Sequence, residues 1–205
     1  MKYTLLSLIL LLFMTSCGSD STVNVKPEAQ NKQSQIDDIK SLNNEMLKLF
    51  LETGRKTSTL SSEELIKFKT DLSVKRMELI NLNLKFYNTF PEDTLSAYCL
   101  ADVQELYDAS GAYLKAVAYG DTIAERYPEF SNIILVLEKN AAILDFNLSN
   151  RDTVEIRKAY ERLLALPNLS QETRSAYRER ISSLHWDLDL LLGESFLVVS
   201  FGTWF

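Results

Sequence analysis

A proline that closes a helix returns at almost regular intervals in this chain. Phe90-Pro91-Glu92-Asp93, Tyr127-Pro128-Glu129-Phe130 and Leu166-Pro167-Asn168-Leu169 stand 37 and 39 residues apart, proline to proline. Proline has no N–H to give and its ring collides with the preceding turn, so a helix stops at or before the residue ahead of it. Between the stops the apolar residues keep helical spacing. Ile36, Ile39, Leu42, Met46 and Leu49 or Phe50 form one such stripe; Leu65, Phe68, Leu72, Leu79, Leu82 and Phe86 form the next. Gly54 reads as the residue just past the first helix. Ser61 facing Glu64 reads as a capping box that opens the second, with Ser73 a point where that helix can break. Six glycines in 205 residues are too few for the many tight turns of an all-β chain. The expected fold class is all-α, with helices in pairs at a fixed period, which is the pattern of a stacked repeat array.

The middle unit is the most legible. Between Leu95 and Pro128 it carries Tyr107, then Gly111-x-Tyr113-x-x-Ala116, then Ala124. This resembles the tetratricopeptide (TPR) pattern. Gly111 suits a tight turn between paired helices, where a Cβ would strain a left-handed backbone. Tyr113 fills the gap above that turn, Ala116 is small where the helices come closest, and Pro128 ends the second helix. The third unit, from about Ser131 to Pro167, keeps Ala159-Tyr160-Glu161 but has Asn150 at the turn and one extra residue. The first unit keeps mainly its second helix, Lys75 to Asn88. Gln171 to Leu192 would be a terminal capping helix, with Arg174, Arg178, Glu179 and Arg180 as its polar outer face. The resemblance implies a right-handed TPR-like solenoid of helical hairpins over residues 61–192. It also implies a concave groove lined by the first helix of each pair. Tyr98, Ala101, Glu105 and Asp108 fall on that face in the middle unit, and Leu137, Asn140, Leu144 and Asn147 in the third. Tyr98 could anchor a ligand, and asparagine side chains could bond its backbone. With Glu105 and Asp108 acidic, a basic or neutral peptide segment is favoured over a C-terminal carboxylate.

The N-terminus reads as an address. Lys2 precedes an apolar block, Leu5 to Phe13, followed by Met14-Thr15-Ser16-Cys17. A basic start, a short apolar run and small residues before a cut make a secretory signal, and the block is too short for a span of ~20 residues. Cys17 in this setting resembles the lipobox of bacterial lipoproteins. That resemblance implies a signal peptide over 1–16, lipidation of Cys17 and anchoring by acyl chains. Residues 17–34 then read as lipidated cysteine and flexible linker, 35–60 as an N-terminal helix and loop, and 193–205 as an apolar tail. Lipobox and repeats together look like envelope lipoproteins of Gram-negative bacteria. In architecture the TPR lipoprotein of the β-barrel assembly machinery is similar. The expected role is a protein-binding scaffold without catalysis, on the periplasmic side of the outer membrane. The alternative is a glycan-capture lipoprotein; exposed clustered tryptophans would favour it, and the chain has only Trp186 and Trp204.

Charge and chemistry narrow the remaining classes. A net charge of −6 and a pI near 5.0 lack the basic footprint of nucleic-acid binding. One histidine and two cysteines leave little for a metal centre, so neither metal nor cofactor is expected. His185 has no second histidine to work with, and no HExxH or nucleophile-elbow motif occurs. Gly193-Glu194-Ser195 resembles the Glu-Ser pair of lytic transglycosylases but leaves only about ten residues for the motifs that must follow it. Asp37/Asp38 and Glu63/Glu64 are sequence neighbours pointing to different sides of a helix, not a glycosidase pair. Cys99, on an apolar stretch, reads as a small buried hydrophobe.

Overall fold

The computed structural model describes residues 27–55 and 60–185. Cys17, the leader 1–16 and the tail 193–205 lie outside the described residues, as do Trp186 and Trp204. Among the described residues seven helices follow one another: α1 Pro27–Gly54, α2 Ser62–Thr89, α3 Thr94–Asp108, α4 Tyr113–Arg126, α5 Ile133–Ala142, α6 Thr153–Leu164 and α7 Gln171–Ser183. A π-helical turn, Ile143–Asn147, extends α5. No strand occurs among the described residues. None of the described helices is long and apolar enough to cross a membrane.

The first helix begins inside the stretch that reads as linker. Pro27 is its first residue, where a fixed φ helps and a missing N–H costs nothing. The polar residues that follow are held by the fold. Gln33 donates to Asp37 (2.8 Å), Gln35 is buried, and Lys32 pairs with Asp93, the N-cap of α3. Gly54 is the last helical residue of α1, not a left-handed cap; Gly111 alone among the described glycines has positive φ.

The capping box at α2 is present in full. Ser61 Oγ accepts from the Glu64 N–H (3.2 Å), and the Glu64 carboxylate accepts from the Ser61 N–H (2.8 Å). No break occurs at Ser73, because Leu72, Leu79, Ile80, Asn83 and Phe86 are buried along one continuous helix. The three prolines all stand just past helix ends, after α2, α4 and α6.

The α3–α4 turn is a Schellman motif. The Ala112 N–H donates to Tyr107 O and the Gly111 N–H to Asp108 O, both at 2.9 Å, with Gly111 at φ 73°. A Cβ at Gly111 would meet nothing within 4 Å, so glycine is required here for its backbone angle alone. Gly111→Ala is therefore expected to lower stability by about 1 kcal/mol, read as a shifted urea midpoint with an unchanged m-value; an unchanged midpoint would refute this.

Each helix packs on its successor, and helices two apart are joined at a recurring distance in sequence. Lys139 of α5 meets Glu105 and Asp108 of α3. Arg126 of α4 meets Tyr87 of α2, Arg162 of α6 meets Asp121 of α4, and Arg180 of α7 meets Asp145 of α5. These pairs are separated by 31 to 41 residues, about one interval between the prolines. First helices touch first helices and second helices touch second helices. The apolar core runs between them. Phe86, Val103, Leu106 and Ala116 meet near the α2–α3–α4 contact; Leu100, Ile123 and Val136 sit deeper along the row; Leu137, Ile156, Leu163 and Leu184 close its end.

The third unit contains the π-helical turn, a form in which a helix admits one additional residue without ending. That turn buries Asp145. Five side-chain hydrogen bonds compensate its charge, one of them from Arg151 Nε at 3.1 Å. Arg180 approaches both carboxylate oxygens (Nε and Nη2, each 2.6 Å), Arg151 Nη2 donates at 2.8 Å and Tyr160 OH at 3.2 Å. Arg180 therefore faces inward, where the sequence places it on an outer polar face. Arg174 also turns in, donating to the carbonyls of Leu164 (2.6 Å) and Leu166 at the end of α6. Only Arg178 and Glu179 of that set are exposed.

Candidate functional site

Of the four α3 residues that the sequence assigns to a groove, Tyr98 and Glu105 are exposed and Ala101 and Asp108 half-buried, while Asp102, which it does not assign, is exposed beside them. Tyr98, Asp102 and Glu105 are exposed at positions i, i+4 and i+7, which share one helix face. Tyr98 is held in place: its ring meets Phe130 edge-on (centroids 4.8 Å apart) and its hydroxyl lies 3.0 Å from Ser131 Oγ. That leaves a fixed aromatic surface, 44% exposed. Glu105 and Asp108 do not stand as two unopposed acids. Lys139 reaches from α5 to both, at 2.6 and 3.2 Å. Burial pushes the Lys139 ammonium down, but the two carboxylates outweigh it and hold its pKa above the usual lysine range. The strip is thus mixed in charge, more acidic at its exposed edge.

The third unit departs from the assignment. Asn140 is 2% exposed and spends its amide inside the chain. Its Oδ1 accepts from Gln104 (2.7 Å), and its Nδ2 donates to Val117 O (3.0 Å) and Asp121 (3.1 Å). Leu137 is likewise core, and Leu144 is half-buried. Asn147 is exposed, at the end of the π-helical turn. Leu137 and Asn140 stand three positions apart on the buried side of α5, ahead of the π-helical turn, and the burial pattern of α3 repeats in α5 two residues earlier than the groove assignment places it.

The repeat positions sit where packing needs them. Tyr107 is buried and stacks on Tyr119 (5.5 Å, nearly parallel), Ala116 is fully buried, and Tyr113 is half-buried against the same cluster. Gly120 carries no signal in the repeat pattern, yet it is the most tightly enclosed of the described glycines. A Cβ there would lie 2.3 Å from Asn140 Oδ1 and 2.5 Å from Gln104 Nε2. A polar pair buried across two helices opposite a helical glycine has no periodic signature, so the sequence hides it.

Cys99 is buried as expected, and its thiol is pushed up to about 12, chiefly by burial and further by the charges of Asp102 and Asp93. His185 is exposed, just past α7. Among the described residues no cluster of three or more histidine, cysteine or acidic side chains could hold a metal ion. A shallow depression of about 550 Å³ lies between α1 and α2. It is edged by Asp38, Glu45 and Glu78, with Glu45 already paired to Lys75 at 2.7 Å. Comparison with protein-family models, with curated proteins and with solved structures gave no match to this chain.

Proposed function

We propose that this chain is a TPR-like helical-repeat scaffold, tethered by lipid on Cys17 in a bacterial envelope, which binds a protein segment along its first helices. The observation that carries the reading is the recurrence of joints between like helices one repeat apart, with Gly111 in a left-handed turn at the centre of the array. Such an array keeps one side of α3 exposed and rigid, and that side offers an aromatic anchor at Tyr98 beside the acids Asp102 and Glu105. An extended segment with an apolar residue and one or two basic ones matches that strip. Asn140 is withdrawn from the binding set, since its amide is committed inside the fold. The lipid anchor rests on the Lys2–Cys17 sequence, and outer-membrane placement on the resemblance to envelope lipoproteins.

The test places a photoreactive amino acid at Asp102 in the full chain, in cells, and at Lys158 as a control; Lys158 is exposed on α6. A discrete protein adduct from position 102 and none from 158 is expected. Equal adducts from both positions, or a glycan in place of protein, would refute the binding strip. Labelling with an alkyne-tagged fatty acid is expected to mark the chain and to vanish in Cys17→Ser. Label that persists in that variant would refute the anchor while leaving the strip standing.

A further inference from the structure

A small cavity of about 190 Å³ lies between the second helices α4 and α6, with α5 and its π-helical turn as the floor. α6 turns one face to it, with Glu155, Lys158 and Arg162 at i, i+3 and i+7. Asp121 stands opposite on α4. The floor is apolar, made by Leu137 and Leu144, the first buried and the second half-buried. The four charged side chains are more open to water than the floor, so the cavity is apolar below and charged at its mouth.

The charges stand in two pairs of opposite sign. Arg162 Nη1 donates to Asp121 Oδ1 at 2.5 Å, which joins α6 to α4, and Lys158 Nζ lies 2.7 Å from Glu155 Oε1. Asp121 is also held from below. The buried Asn140 donates through Nδ2 to the same Oδ1 at 3.1 Å. Asp121 thus takes both bonds at one oxygen, and Arg162 gives one nitrogen of its fork. Among the described residues Asp121 Oδ2 and Arg162 Nη2 have no hydrogen bond, so both groups can take another partner without parting from each other. Pairs as exposed as these are weak and rearrange readily.

The mouth carries no net charge, and that selects the ligand. An anion alone would face Asp121 and Glu155, and a cation alone would face Arg162 and Lys158. A wholly apolar molecule would strip water from all four. A short aliphatic body bearing one ammonium and one carboxylate suits every group: its ammonium meets Asp121, its carboxylate meets Arg162 and Lys158, and its side chain rests on Leu137 and Leu144. The volume is below the ~300–1,000 Å³ of sites for drug-sized ligands, so it admits one amino acid and not a peptide of several residues. We propose that the cavity between α4, α5 and α6 binds a free aliphatic α-amino acid. A molecule of about nine non-hydrogen atoms binds in roughly the micromolar-to-millimolar range. The cavity and the α3 strip lie on different helices, so failure of either leaves the other standing.

The test is equilibrium dialysis of the full chain, in non-ionic detergent, against radiolabelled L-leucine up to roughly 10 mM. Saturable retention of one leucine per chain is expected. Isocaproate, which lacks the ammonium, and isoamylamine, which lacks the carboxylate, should displace the label at least about tenfold less well than leucine itself. Arg162→Gln and Asp121→Asn, with circular dichroism matching the parent, should each lower leucine affinity about tenfold. Lys158→Gln changes only an exposed side chain at the mouth, which guards against misfolding, and should lower affinity about threefold. Tyr98→Ala, on the α3 strip, should leave retention unchanged. No retention at the highest concentration would overturn the proposal. So would displacement by isocaproate or isoamylamine as effective as by leucine, or a leucine affinity unmoved in both Arg162→Gln and Lys158→Gln.

Discussion

Replacing Asp145 by alanine is expected to cost about 3–5 kcal/mol. The carboxylate is 1% exposed, inside the π-helical turn, and holds two arginines and a tyrosine from three other segments. Removing it leaves the guanidinium groups of Arg151 and Arg180 largely out of water with no anion between them. At this chain length about 2–4 °C of midpoint follows each kcal/mol, so a fall on the order of 10 °C in Tm should be seen. Arg180→Ala in the Asp145→Ala background should cost far less than Arg180→Ala alone, since the two act as one unit. A loss below about 1 kcal/mol would show that the pair is not a joint of the fold. The same site sets an acid limit. Burial pushes the Asp145 carboxyl up, but the hydrogen bonds and charges of Arg180 and Arg151 outweigh that and hold it below the usual range. A carboxyl with a depressed folded pKa stabilises fully above its unfolded value, near 3.9, and loses that contribution as pH falls through the folded value. The parent should therefore lose stability below about pH 4 more steeply than Asp145→Asn.

Gly120→Ala should destabilise, although helix propensity alone predicts a gain of about 1 kcal/mol. The added methyl would fall 2.3 Å from Asn140 Oδ1, among amides that are themselves buried. Overpacking costs roughly 1–3 kcal/mol, and each buried hydrogen bond broken to make room adds about 1–3. The net expectation is a loss of about 2–4 kcal/mol in urea unfolding, after the propensity gain. Asn140→Ala takes away the oxygen in the way, so Gly120→Ala should cost much less in that background. A Gly120→Ala variant as stable as the parent would mean that α4 and α5 can separate slightly at no cost. Gly111 and Gly120 thus mark two different needs for the same residue, one for a left-handed backbone and one for space.

How far the sequence reaches is clearest at particular residues. The all-α class, the helix stops at Pro91, Pro128 and Pro167, the Ser61–Glu64 capping box and the Gly111 turn were all legible. Each depends on a backbone property of a residue and its neighbours within about five positions. Ala116 and Tyr107 were legible as packing positions only through the resemblance of their spacing around Gly111 to the tetratricopeptide pattern. Asn140, Arg174 and Arg180 were misread because each looks the same whether it faces water or a partner 7 to 36 residues away. The start of α1 was misread for the same reason: Lys32 and Gln35 read as linker until α3 lies beside them.

The chain by itself thus determined which stretches are helical and where each one ends, because those outcomes follow from missing amide protons, permitted φ angles and short-range caps. Only the tertiary structure decided which polar groups are spent inside. Burying Asp145 or the Gln104–Asn140 pair is tolerable only when distant helices bring matching donors and acceptors within 3 Å. It also decided how far α3 runs along the first hairpin, since the length of α3 against that of α1 and α2 is a relation between elements and not a property of any one of them.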